Sequence, residues 1–118
     1  MFMISKQFSF SASHRLGGLE DGHPCSRLHG HNYCIEIQLS AERLSDTGFV
    51  VDYADLQEFE RILDQEMDHR HLNDVIPFSP TAENIAIYLY GRAKEIWQSV
   101  SCVRVSETSK TWAEYRES

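Results

Sequence analysis

Apolar and polar positions alternate strictly near the start of the chain, where Phe8, Phe10 and Ala12 interleave with Ser9, Ser11 and Ser13. A period of two places the apolar set on one face of an extended segment. This stretch therefore reads as a half-buried β-strand that delivers His14 at or near its end, on the face of the two phenylalanines. Gly17 to Leu28 has no period, and its glycines and Pro24 make it a loop that carries His23 and Cys25. From His31 the alternation resumes, with Tyr33, Ile35, Ile37 and Leu39 on one face and Asn32, Cys34, Glu36 and Gln38 on the other. A second strand, antiparallel to the first, is expected here.

The period then changes. Asp46-Thr47-Gly48 reads as a turn, and Asp52 as the N-cap of a helix over about residues 53 to 67, in which Leu56, Phe59, Leu63 and Met67 share a face. That helix ends in Asp68-His69-Arg70-His71, after which Asn73-Asp74 and two prolines break the chain. Thr81 caps a second helix, with Ile85, Leu89, Ile96 and Trp97 as its buried stripe. Val103, Val105 and Glu107 alternate along a further strand, Ser109-Lys110 turns the chain, and Trp112 to Arg116 returns. The order ββααββ predicts an α+β fold, a four-stranded antiparallel sheet with both helices on one face. Such a sheet has two open edges, and pairing them across subunits hides both, so a homo-oligomer is expected.

At 118 residues the chain has room for a single domain, residues 1–118. Its 42% hydrophobic and 25% charged residues are those of a folded water-soluble chain. Eleven basic residues against eighteen acidic ones, a net charge of -7, argue against a nucleic-acid partner. No apolar run approaches a membrane span and the N-terminal segment lacks the pattern of a signal peptide, so the expected location is cytoplasmic, with no membrane partner. Three cysteines without an export signal make no disulfide framework. Cys34 and Cys102 lie in alternating apolar stretches and are expected to be packed, whereas Cys25 lies in the loop.

Candidate chemistry gathers around that loop. His29 and His31, at i and i+2 in an extended segment, point to the same side, and His14 from the neighbouring strand supplies a third imidazole. Three neutral imidazoles without a fourth protein ligand leave an open coordination position, the arrangement of catalytic rather than structural Zn2+. Cys25 admits two readings: a fourth ligand that closes the site, or a thiol activated by the His69-Asp68 pair. Glu107 is either an edge charge facing water or an inward carboxylate that accepts from the N–H edge of a planar heterocycle such as a guanine or a pterin.

With these residues located, the segments FSASHRL, GHPCSRLHGHNY, GFVVDYADL, MDHRHLND, SPTAENIA and VSETS, in that order, make the chain resemble the 6-pyruvoyltetrahydropterin synthase superfamily and, within it, the 6-carboxytetrahydropterin synthases. The resemblance implies a tunnelling fold whose sheets join into a barrel, assembled as a hexamer of two stacked trimers. It implies zinc held by His14, His29 and His31, with Cys25, Asp68 and His69 catalytic and Glu107 anchoring a pterin. It also implies sites that draw residues from more than one subunit. The implied reaction converts 7,8-dihydroneopterin triphosphate to 6-carboxytetrahydropterin, acetaldehyde and triphosphate, a step toward 7-deazapurines such as queuosine. Only three residues separate Cys25 from His29, which is similar to the carboxy branch; the pyruvoyl branch has a longer insertion there. A triphosphate needs local cations, for which Lys6, Arg15, Arg27 and Lys110 are candidates. Two departures from the family pattern stand out: His71 where related chains often have an aromatic, and Ser109-Lys110-Thr111-Trp112 after the anchoring Glu.

Overall fold

A computed structural model describes residues 1–20 and 22–117. Strand β1 (Phe2–His14) pairs antiparallel with β2 (His29–Ala41) along their whole thirteen-residue lengths, from Phe2 opposite Ala41 to His14 opposite His29. The apolar positions of both strands, among them Phe8, Phe10, Tyr33, Ile35, Ile37 and Leu39, fall on one buried face. Between the strands, the loop contains a short 3-10 turn at Pro24–Ser26, capped by the His23 side chain.

Helix α1 (Gln57–Glu66) is preceded by a 3-10 turn, Tyr53–Leu56, whose N-cap is Asp52, accepting from the Ala54 N–H at 2.9 Å. The expected helix over residues 53 to 67 is thus a 3-10 turn followed by ten α-helical residues. Leu56, Phe59, Leu63 and Met67 are buried as their spacing predicted. After α1 the backbone of His69 takes a positive φ of 58°, a region non-glycine residues rarely enter. That reversal lets the His69 N–H donate to the Ser11 carbonyl at 2.6 Å and lays β3 (Arg70–His71) parallel to the outer edge of β1.

Helix α2 (Ala82–Ile96) starts at Thr81, whose hydroxyl accepts from the Asn84 N–H at 3.1 Å. Ile85 and Leu89 are buried along with Ala86, Tyr90 and Ala93, but Ile96 is exposed, because the last turn of the helix runs past the end of the core. Strand β4 (Val100–Ser106) pairs antiparallel with β2, and β5 (Ala113–Tyr115) pairs antiparallel with β4, after a turn centred on Ser109-Lys110.

The sheet order is β3-β1-β2-β4-β5. The fold is α+β as expected, but the sheet is mixed and five-stranded rather than antiparallel and four-stranded. The extra strand is two residues long and has no periodicity of its own; only the reversal at His69 creates it. Both helices contribute to the single hydrophobic cluster that covers the apolar face, including an edge contact between Phe8 and Phe59 with centroids 5.3 Å apart. Truncating a buried leucine such as Leu63 to alanine in a core of this kind costs about 2–5 kcal/mol. Cys102 is buried as expected, whereas Cys34 is only half-buried because it lies on the polar face of β2. No helix among the described residues is long and apolar enough to cross a membrane.

Candidate metal centre and proton-transfer groups

The β1–β2 register sets the first group of side chains. His14 stands opposite His29 at the end of the ladder, and His31, opposite Ala12, shares their face. One ring nitrogen from each of the three imidazoles lies within 4.8 Å of the other two. His14 Nδ1 is 2.8 Å from the Pro80 carbonyl, and His29 Nδ1 is 2.7 Å from the Arg27 carbonyl. A carbonyl only accepts, so each Nδ1 carries the hydrogen and each Nε2 presents a bare lone pair.

Those two Nε2 atoms face each other across 2.8 Å. Two lone pairs at that distance repel unless positive charge lies between them, and carbonyl-held imidazoles of this kind are how proteins aim histidine at a metal. His14 is fully buried, and that burial lowers its pKa, which keeps it neutral and able to ligate. The third member, His31 Nε2, is buried and without a hydrogen-bond partner among the described residues. The donor set fits a divalent cation such as Zn2+. No thiol belongs to the cluster.

Glu107 follows directly on the last residue of β4, with one carboxylate oxygen 3.7 Å from His31 Nε2 and a quarter of its side chain exposed. It lines a cleft of about 270 Å³ with Thr81, Val105 and Trp112. The wall mixes apolar residues and the Trp112 ring with two carboxylates, Glu83 and Glu107, a setting that suits a flat ring with N–H donors. Beneath the imidazoles lies Tyr33, whose ring stacks on Phe10 at 5.1 Å and meets the His31 ring edge-on at 5.5 Å. Burial first, and the Glu107 charge second, raise the phenol well above its usual pKa.

Asp68 and His69 are held differently. Asp68 accepts from the Ser11 backbone N–H at 2.9 Å and from His69 Nδ1 at 2.9 Å. The Ser11 N–H, followed by His69, holds the Asp68 carboxyl below the usual carboxylate range. His69 is thereby oriented with Nε2 free, while its side chain is 83% exposed. It opens onto a cavity of about 650 Å³ lined also by Ser11, Ser13, Asn32 and His71. The departure at His71 has a structural role there, since its Nδ1 pairs with the Ser13 hydroxyl at 3.0 Å.

Cys25 occupies the 3-10 turn of the loop, half-buried, its backbone N–H donating to His23 Nδ1 at 3.0 Å. No hydrogen bond joins Cys25 to His69 among the described residues.

Of the four candidate cations, Lys6 lies eight residues before His14 on a straight strand, roughly 26 Å away at ~3.3 Å per residue, and packs over the Phe8 ring. It is too far from the imidazoles to serve them. Arg15 and Arg27, by contrast, directly adjoin the segments bearing His14 and His29 and form no ion pair among the described residues, whereas Arg61, Arg92, Arg104 and Arg116 do.

Sequence reasoning missed several supports of the site. Asn73 clamps the chain just past His14, accepting from the Arg15 N–H and donating to the Arg15 carbonyl, both at 2.8 Å. The Pro80 and Arg27 carbonyls left no signal, because any residue type supplies a carbonyl. Tyr33 could have been found: it is two positions beyond His31, on the same face.

Comparison with known proteins places this geometry. The family model described as 6-pyruvoyl tetrahydropterin synthase matches residues 3–118. The chain is 32% identical to the 6-carboxy-5,6,7,8-tetrahydropterin synthase of Haemophilus influenzae, covering 99% of this chain and all of that one. It is 34% identical to the enzyme of the same name from Synechocystis, over 98% of this chain and 93% of that one. Among solved structures, that of Caenorhabditis elegans 6-pyruvoyl tetrahydropterin synthase superposes with a TM-score of 0.86 at 30% identity, covering 99% of this chain and 96% of that one.

Proposed function

The chain belongs to the 6-pyruvoyl tetrahydropterin synthase family, and from that premise we propose that it is a zinc-dependent 6-carboxytetrahydropterin synthase. The proposed substrate is 7,8-dihydroneopterin triphosphate, and the products are 6-carboxytetrahydropterin, acetaldehyde and triphosphate. It is a carbon–carbon lyase of the route to 7-deazapurines such as queuosine. The observation that carries this reading is the facing pair of bare Nε2 atoms on His14 and His29, 2.8 Å apart, beside His31 and a carboxylate in an aromatic-walled cleft. Relatives named for the carboxy reaction span nearly the whole chain, and the three-residue gap between Cys25 and His29 supports the same branch.

His14, His29 and His31 would hold the zinc, which supplies Lewis acidity toward the side-chain oxygens of the substrate. Glu107 accepts from the N–H edge of the pterin and fixes the ring in the cleft. Asp68 orients His69 through Nδ1, so that Nε2 takes and returns a proton at the side-chain carbons while the Cys25 thiol does so from the opposite side. Arg15 and Arg27, free of ion pairs among the described residues, offset the triphosphate charge that a chain of net charge -7 would otherwise repel.

Because no hydrogen bond joins Cys25 to His69 among the described residues of one chain, the working site is taken to draw these groups from neighbouring subunits. The edges at β3 and β5 join subunits of a cytoplasmic homo-oligomer, a hexamer formed as a dimer of trimers with its sheets closed into a barrel, the tunnelling fold. Incubating the zinc-loaded protein with dihydroneopterin triphosphate tests the assignment. Stoichiometric acetaldehyde is the expected result. Formation of 6-pyruvoyltetrahydropterin without acetaldehyde overturns it in favour of the pyruvoyl reaction, which the similarity to the nematode structure would then explain. Binding of zinc and pterin without turnover points instead to a non-catalytic binding module.

A further inference from the structure

Tyr33 is completely buried, yet its hydroxyl finds no hydrogen-bond partner among the described residues. A polar group shut away from water in this way costs about 1–3 kcal/mol. Such an orphan asks for a functional explanation.

The surroundings narrow the choice. The ring is held from below by the Phe10 stack, with planes 18° apart, and its other side meets the edges of His31 and His14, the latter at 6.0 Å. A ring packed like this has little freedom to turn its hydroxyl elsewhere. The neighbouring orphan, His31 Nε2, faces the same carboxylate, Glu107, at 3.7 Å. Once His31 is committed to a metal it no longer offers Glu107 a hydrogen. Ser106 pairs with Cys34, so Glu107 and Tyr33 are the next positions along the two strands; Glu107, an acceptor through both oxygens, would then have the Tyr33 hydroxyl as a candidate donor on its β2 side.

We propose that Tyr33 is a positioning residue, whose hydroxyl donates to one Glu107 oxygen in the metal-loaded protein and thereby aims the other oxygen at the N–H edge of a bound pterin. This inference rests on the reading of Glu107 given above and adds to it a reason why that side chain holds one orientation. It also assigns a purpose to the hydroxyl of an aromatic residue that would otherwise be pure core.

The test is a double-mutant cycle read by fluorescence titration of neopterin, an unreactive oxidised pterin, onto zinc-loaded protein. Tyr33→Phe removes a single oxygen and keeps the stack, so zinc content and the circular-dichroism spectrum should match the wild type. Its affinity for neopterin is expected to fall about tenfold or more, the worth of a hydrogen bond to a charged group. In an E107Q background the same change should cost less than twofold, because the carboxylate it supports is gone. A Y33F affinity within twofold of wild type, or losses that multiply in the double variant, would overturn the proposal.

A crystal structure of the zinc-loaded wild type without pterin provides a reading that does not depend on ligand binding. Tyr33 Oη within hydrogen-bonding distance of Glu107 is expected; Oη bonded to another group sinks the inference. Failure of the wild type to bind neopterin at all would instead count against the pterin assignment, and the crystal would still decide the Tyr33 contact.

Discussion

His14, His29 and His31 stand on two strands paired over thirteen successive residues, whereas Cys25 lies in a three-residue turn inside a loop and His69 just beyond the end of a helix. In the first region, moving one imidazole relative to another means sliding a whole ladder, and a one-residue slip would turn every core side chain outward. Carbonyls from Pro80 and Arg27 then fix the two tautomers. In the second region each group is held by a few local bonds: Asp68 by the Ser11 N–H, His69 by Asp68, and the Cys25 backbone by His23. The three imidazoles gather within one chain, whereas Cys25 and His69 are not hydrogen-bonded to each other among the described residues. Side chains that must converge are held best on rigid strands, while loops and helix ends leave a side chain freer to reach outward.

Four experiments press on that contrast, beginning with the largest effect. Replacing His31 by Ala removes one of the three nitrogens that converge among the described residues; elemental analysis should find zinc absent, and turnover should vanish with it. Replacing Cys25 by Ala should instead lower turnover by about 10²–10⁴-fold, the usual share of a proton-transfer group, while zinc content stays at the wild-type level. Loss of zinc from that variant would place sulfur among the ligands and erase the distinction between the two regions.

Asn73→Ala cuts both hydrogen bonds that clamp the backbone beyond His14. Denaturant unfolding should show a loss of about 1–2 kcal/mol. Zinc titration should show weaker binding without loss of stoichiometry.

The smallest effect is one of acidity. Asp68 is held below its ordinary pKa of ~3.9, chiefly by the Ser11 N–H, so its ionised form is favoured in the folded chain. Its contribution to stability is therefore complete above that ordinary value and disappears as the pH falls through the lowered one. The melting-temperature difference between wild type and Asp68→Asn should be constant near neutrality and shrink on acidification below about pH 4. A difference that grows in acid would contradict the assignment.

The same contrast governs what could be read before the fold was known. Strand β1, the face of β2, the caps at Asp52 and Thr81 and the turn at Ser109-Lys110 were all legible, because each depends on side chains a few residues apart. The three histidines were legible for the same reason: a period of two needs no knowledge of the rest of the molecule. Strand β3 was not, since two residues carry no period and the positive φ at His69 depends on the Ser11 carbonyl reaching its N–H. The exposure of Ile96 was misjudged because helical spacing indicates which face is apolar but not where the core ends.

Local periodicity and capping thus determined by themselves that two strands would carry converging imidazoles ahead of two amphipathic helices. Tertiary structure alone decided that Pro80 would hold His14 from 66 positions away in sequence, and that Glu107 would come to rest 3.7 Å from His31 with the Tyr33 hydroxyl left unpaired among the described residues. The physical reason is one of range. Backbone geometry imposes its period within a turn or a few strand residues, whereas contacts between distant segments exist only once the loops have closed and the apolar face has been buried.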